Sequence, residues 1–146
     1  MVSVLGIPFD EASSYLRGPA QAPKAIRQAF HSDSSNYFSE SGMDLKNSVQ
    51  WMDAGDIGLG DDPQAIIEAA VREQLARHDR LLLLGGDHSV TFPILQAFHQ
   101  KYNKLSILHL DAHADLYDSF EGNKYSHACP FARIMEAGLA TRLIQV

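Results

Sequence analysis

The chain has 146 residues, enough for one domain of ordinary size and too few for two comfortable ones. Its residues are 45% hydrophobic and 21% charged, a globular balance that excludes disorder and collagen-like structure. With 12 basic and 18 acidic residues the net charge is -6, which argues against a nucleic-acid or anionic-membrane surface and favours a small cationic ligand.

Short apolar runs alternate with helical patterns along the chain. Val2 to Pro8 reads as a first strand closed by proline, and Pro23 to Phe30 as a short helix with proline in its first turn, where a missing N–H does no harm. Residues 32–48 are rich in Ser, Asn, Asp and Gly and read as surface loop. Val49 to Ala54 is a second strand, ended by Gly55, Gly58 and Gly60. Pro63 to His78 carries Ile66, Ile67, Ala70, Val71 and Leu75 at helical spacing. A strand at Arg80 to Leu84, a helix from Phe92 to Tyr102 and a strand at Leu105 to Leu110 follow. Pro130 to Glu136 is a last helix with Gly138 as its C-cap, and Thr141 to Val146 a last strand. This alternation predicts parallel strands joined by crossover helices, an α/β layered fold.

The longest apolar run, Leu81 to Leu84, is far short of a membrane span. The first ten residues lack the basic region and cleavage site of a signal peptide, and the single cysteine, Cys129, forms no internal disulfide. The expectation is a soluble, cytoplasmic globular unit. Because the chain closes on an apolar strand with no helix after it, part of the sheet is expected to be covered by something else.

Chemistry concentrates in two places. In Leu108-His109-Leu110-Asp111-Ala112-His113-Ala114-Asp115, strand alternation would put Asp111, His113 and Asp115 on one side where the strand yields to its loop. Two carboxylates and an imidazole suit manganese or zinc better than a thiolate-loving metal; the competing reading is a set of solvated acidic residues. In Leu84-Gly85-Gly86-Asp87-His88, two glycines permit a sharp turn that presents His88 at the C-terminal end of its strand, where α/β sheets place ligand sites. On its own, His88 reads equally well as a loop or helix cap. His109 and Asp87 read as packing or supporting groups. Cys129, ahead of a helix and next to His127, reads as an inert small residue because no third group orients such a pair. The glycines from Gly55 to Gly60 have the dinucleotide fingerprint in reverse and read as a turn.

Gly85 to His88 and the Asp-Ala-His-x-Asp of Asp111 to Asp115, in this order, resemble the ureohydrolase family, the arginases and agmatinases. The resemblance extends through Gly122-Asn123-Lys124-Tyr125-Ser126-His127-Ala128, through Gly18-Pro19, Pro23 and Ile26-Arg27, and through Asp53 to Asp56, so it covers nearly the whole chain. The wording around His127 and Phe131 to Glu136 is most similar to agmatinases and agmatinase-like plant and bacterial arginases.

The resemblance implies an arginase-like three-layer fold, with a mostly parallel sheet and helices on both faces, incomplete at the C-terminal side. It implies hydrolysis of a guanidino substrate, agmatine or arginine, to urea and an amine, by hydroxide generated between two manganese ions. His88, Asp111 and Asp115 would hold the first ion, Asp111 would bridge to a second held by His113, and His127 would shuttle protons. The family carries a further Ser-x-Asp-x-Asp motif downstream, which this chain does not contain. Residues 1–146 are therefore expected to be the N-terminal half of one catalytic domain, inactive alone, from an enzyme that assembles as trimers or hexamers. The alternatives are a non-catalytic fragment, or a mononuclear metal-binding module built on His88, Asp111 and Asp115.

Overall fold

The structure, a computed structural model, describes residues 1–146. Its elements follow the chain order read from the pattern: β1 (Val2–Gly6), α1 (Ala22–Phe30), β2 (Trp51–Asp56), α2 (Pro63–Arg77), β3 (Arg80–Leu84), α3 (Thr91–Lys101), β4 (Ser106–His109), α4 (Pro130–Glu136) and β5 (Arg142–Gln145). Short 3-10 turns at Pro19–Gln21 and His88–Val90 lead into α1 and α3.

Local chemistry explains the boundaries. The Asp62 side chain accepts the Ala65 N–H and Pro63 occupies the first turn, so α2 starts with a donor satisfied and none wasted. Gly138, at φ 65°, ends α4 in the left-handed conformation, with Leu139 N–H returning to the Ile134 carbonyl.

Every strand pairing is parallel, but the strands form two sheets, one ordered β2-β1-β3 and the other β4-β5. No ladder joins β3 to β4, a division that strand spacing in the sequence does not report.

Alternation along β1 and β3 sorts side chains to two faces. Leu5, Leu81 and Leu83 meet Ile67, Val71 and Leu75 of α2 and Ile94 and Ala97 of α3 in the larger core. Ile67 and Val71 are fully buried, and each contributes about 1.5–3 kcal/mol. On the opposite face Val2, Val4, Leu82 and Leu84 border an apolar cavity of about 390 Å³ beneath Ile26 and Phe30 of α1. Helices thus serve both faces of this sheet. A second core joins Phe131 and Ile134 of α4 to Ile107 of β4 and Leu143 of β5, and Leu95 of α3 packs against both cores. Leu108 and Ile144, on the other face of the small sheet, are exposed. No helix is long and apolar enough to cross a membrane.

Candidate metal centre

The exit of β3 is built by close backbone approach. A Cβ on Gly86 would lie 1.7 Å from the Phe9 carbonyl oxygen, so only glycine fits, and Asp87 N–H donates to that same oxygen at 2.8 Å. The buried Asp87 carboxylate then accepts Ala12 N–H at 3.0 Å, the Ser13 hydroxyl at 3.2 Å and Ser89 N–H at 3.0 Å. Asp87 is therefore the brace between two loops, and it aims the next residue, His88, towards β4.

The exit of β4 is a loop rather than a longer strand. Pairing ends at His109, so strict alternation does not carry through Asp111, His113 and Asp115 as the sequence pattern implied. Instead the Asp111 carboxylate accepts the His113 N–H at 2.8 Å, a local turn that competes with the ladder. Asp115 then takes φ 48°, in the left-handed region that aspartate tolerates better than most residues. The turn swings Asp115 back until its Oδ2 lies 2.5 Å from His88 Nδ1.

One nitrogen or oxygen each from His88, His109, Asp111 and Asp115 lie within 4.8 Å of one another. Two carboxylates and imidazole nitrogen make a donor set that fits manganese or another divalent ion of similar hardness. The His113 N–H holds the Asp111 carboxyl below the usual carboxylate range, so it is charged at neutral pH. His113 itself stands outside the group: its side chain is 81% exposed and its Nδ1 is 3.3 Å from Asp111 Oδ1. His109, expected from the sequence to be a buried packing or supporting group, is buried, and its Nε2 has no hydrogen-bond partner.

His127 approaches from the loop before α4. Its Nδ1 lies 2.8 Å from the Ala12 carbonyl, which can only accept, so Nδ1 carries the proton and Nε2 faces the Ser14 hydroxyl at 3.4 Å. Together with His88, Asp111, His113 and Asp115, it borders one concavity of about 760 Å³. All five site residues singled out in the sequence therefore face a shared space. Cys129 does not take part: it is fully buried and burial pushes its thiol up, away from thiolate reactivity.

Comparison with known proteins covers the whole chain. The Arginase family matches residues 1–146. "Arginase 1, mitochondrial" of Arabidopsis thaliana is 46% identical, over 99% of this chain and 45% of its own length. "N(1)-aminopropylagmatine ureohydrolase" of Thermus thermophilus is 36% identical, over 99% of this chain and 50% of its own. Among solved structures, the arginase from Medicago truncatula superposes with a TM-score of 0.87 at 41% identity, covering 99% of this chain and 49% of that one. The chain spans about half the length of the curated relatives it matches. With the match running from the first residue to the last, over an arginase fold and a His/Asp group at its strand ends, this chain belongs to the arginase family.

Proposed function

We propose that residues 1–146 form the N-terminal half of a single ureohydrolase catalytic domain, and that the complete domain hydrolyses a guanidino substrate, agmatine or arginine, to urea and an amine with manganese. The observation that carries this reading is the convergence of His88, Asp111 and Asp115 in a concavity that His127 also borders. Family members are named for both substrate classes: the Arabidopsis relative is an arginase and the Thermus relative an aminopropylagmatine ureohydrolase.

His88, Asp111 and Asp115 would hold the first manganese, and Asp111 and His113 would contribute to a second. A divalent ion held by these residues would lower the pKa of water and so supply hydroxide near neutral pH for attack on the guanidinium carbon. The carboxylates give the concavity a negative floor that attracts a cationic substrate. His127 donates from Nδ1 to Ala12, which fixes the ring and leaves Nε2 to carry a proton to the departing amine. An amine leaves poorly without that proton. On this reading the chain alone binds metal and does not turn over, because the remaining ligands lie in the other half of the domain.

A second reading, a mononuclear metal-binding module, is favoured by one observation: His113 stands outside the group that contains His88, Asp111 and Asp115. The deciding experiment is urea release from agmatine and arginine by the protein of the complete reading frame, loaded with manganese. Urea from either substrate, greatly slowed in His127→Asn, is the expected result. Manganese binding without urea from either would leave the module reading in its place.

A further inference from the structure

His109 sits among the carboxylates without an assigned task, although it is 8% exposed and its ring is pressed against Phe131 at 4.3 Å and His88 at 5.1 Å. Its contacts determine where its proton lies. Gln145 Nε2 is 2.6 Å from the Ala114 carbonyl oxygen, which can only accept, so the amide nitrogen and not the amide oxygen occupies that position. The same nitrogen is 3.1 Å from His109 Nδ1. A group that brings only N–H bonds leaves Nδ1 no role except acceptor. The imidazole hydrogen is therefore on Nε2, the atom that is buried without a partner and faces Asp111 Oδ2 at 3.7 Å.

We propose that His109 is a positioning residue: Gln145 fixes its N–H on Nε2, which keeps that nitrogen from ligating a metal and directs it as a donor towards the Asp111 carboxylate. The gap of 3.7 Å exceeds a hydrogen bond by a few tenths of an ångström. A small turn of the partly exposed Asp111 side chain closes it. Asp111 then has one oxygen held by the His113 N–H and the other by His109, and its carboxylate plane is fixed before an ion arrives. His88, Asp111 and Asp115 remain the ligands. The orienting role rests on the metal-centre reading, whereas the proton position is a property of the metal-free protein, so the two can fail separately.

The test begins with the wild-type chain. Long-range proton–nitrogen correlation spectra, with the His109 ring assigned through its own Cβ and backbone resonances, report which ring nitrogen carries hydrogen. Hydrogen on Nε2 with Nδ1 accepting is expected; hydrogen on Nδ1 overturns the proposal. Adding Zn2+, a diamagnetic probe, should move the His88 ring signals and leave the proton on His109 Nε2. Loss of that proton with ligation shifts at His109 also overturns it. The variants separate positioning from packing. His109→Gln keeps an N–H donor near the Nε2 position and should hold Mn2+ within about threefold of wild type, while His109→Phe keeps the ring packing and should weaken it about tenfold or more. The reverse order, or equal losses in both, would make His109 a packing residue or a ligand instead. No Mn2+ binding by the wild-type chain overturns the orienting role.

Discussion

His88 and Asp115 are 27 residues apart in the chain, yet Nδ1 of one lies 2.5 Å from Oδ2 of the other. That contact links the exit of β3 to the loop after β4 across two sheets that share no ladder. Two strand ends that do not pair are thus brought together by an imidazole and a carboxylate, two groups that bond each other and can also hold a divalent cation.

Asp115→Asn tests the ligand set without disturbing the backbone. Asparagine tolerates the left-handed conformation at φ 48° as well as aspartate does. Stability of the metal-free protein should therefore stay within about 1 kcal/mol of wild type, the scale of one lost hydrogen bond. Manganese affinity should fall at least tenfold, by the order typical of altered metal surroundings. Calorimetric titration with Mn2+ beside urea denaturation measures both. An affinity unchanged by the substitution would remove Asp115 from the ligand set.

Gly86→Ala should be among the most damaging single-atom additions in the chain. Its Cβ would meet backbone, the Phe9 carbonyl, at 1.7 Å, so no side-chain rotation relieves the clash. A loss of about 3 kcal/mol or more is expected, the range of overpacking against an immovable wall. Denaturant unfolding gives the value. Because the same shift displaces Asp87 and His88, metal affinity should fall with it.

Acid stability depends on a cluster far from the centre. Arg27 donates to both oxygens of Asp53, at 2.6 and 2.8 Å, and also to Asp56 and the Gly55 carbonyl. Hydrogen bonding to the guanidinium holds the Asp53 carboxyl below the usual carboxylate range. A depressed carboxylate contributes stability that is fully present above its unfolded pKa, about 3.9, and is lost as the pH falls through the lower folded value. Stability should thus be flat at neutral pH and drop below about pH 4. Asp53→Asn should cost about 1–2 kcal/mol at pH 7 and flatten that acid limb. A pH series of unfolding curves for the two proteins checks the sign.

Cys129 should be silent. It has no solvent exposure, its thiol is pushed up by burial, and it sits in the loop turning into α4. A thiol reagent should react only at the rate of unfolding, and in denaturant should titrate one thiol per chain. Fast reaction in the native protein would reopen a nucleophilic role.

The parts legible in the sequence were those governed by local pattern. Ile67, Val71 and Leu75 recur every four residues and form the buried stripe of α2, and Pro130 and Gly138 bracket α4 by backbone preference alone. The convergence of His88 and Asp111 was readable because both follow strand C-terminal ends, which gather at one edge of an α/β sheet. The rest depended on contacts between distant segments. Alternation put Asp111, His113 and Asp115 on one side where the strand yields to its loop, and all three border one concavity, but the Asp111–His113 turn leaves His113 exposed and outside the close group. The separation of β3 from β4 is a pairing choice, which strand pattern does not encode. Gln145 was invisible as a partner of His109 because only the parallel register of β4 and β5 sets them opposite each other.

The most direct measurement is the manganese content of the desalted 146-residue chain after reconstitution, by elemental analysis, beside a His88→Ala control. The group formed by His88, Asp111 and Asp115 predicts one ion per chain, lost in the control. Equal manganese in the two proteins, or none in either, would contradict a metal centre at these strand ends.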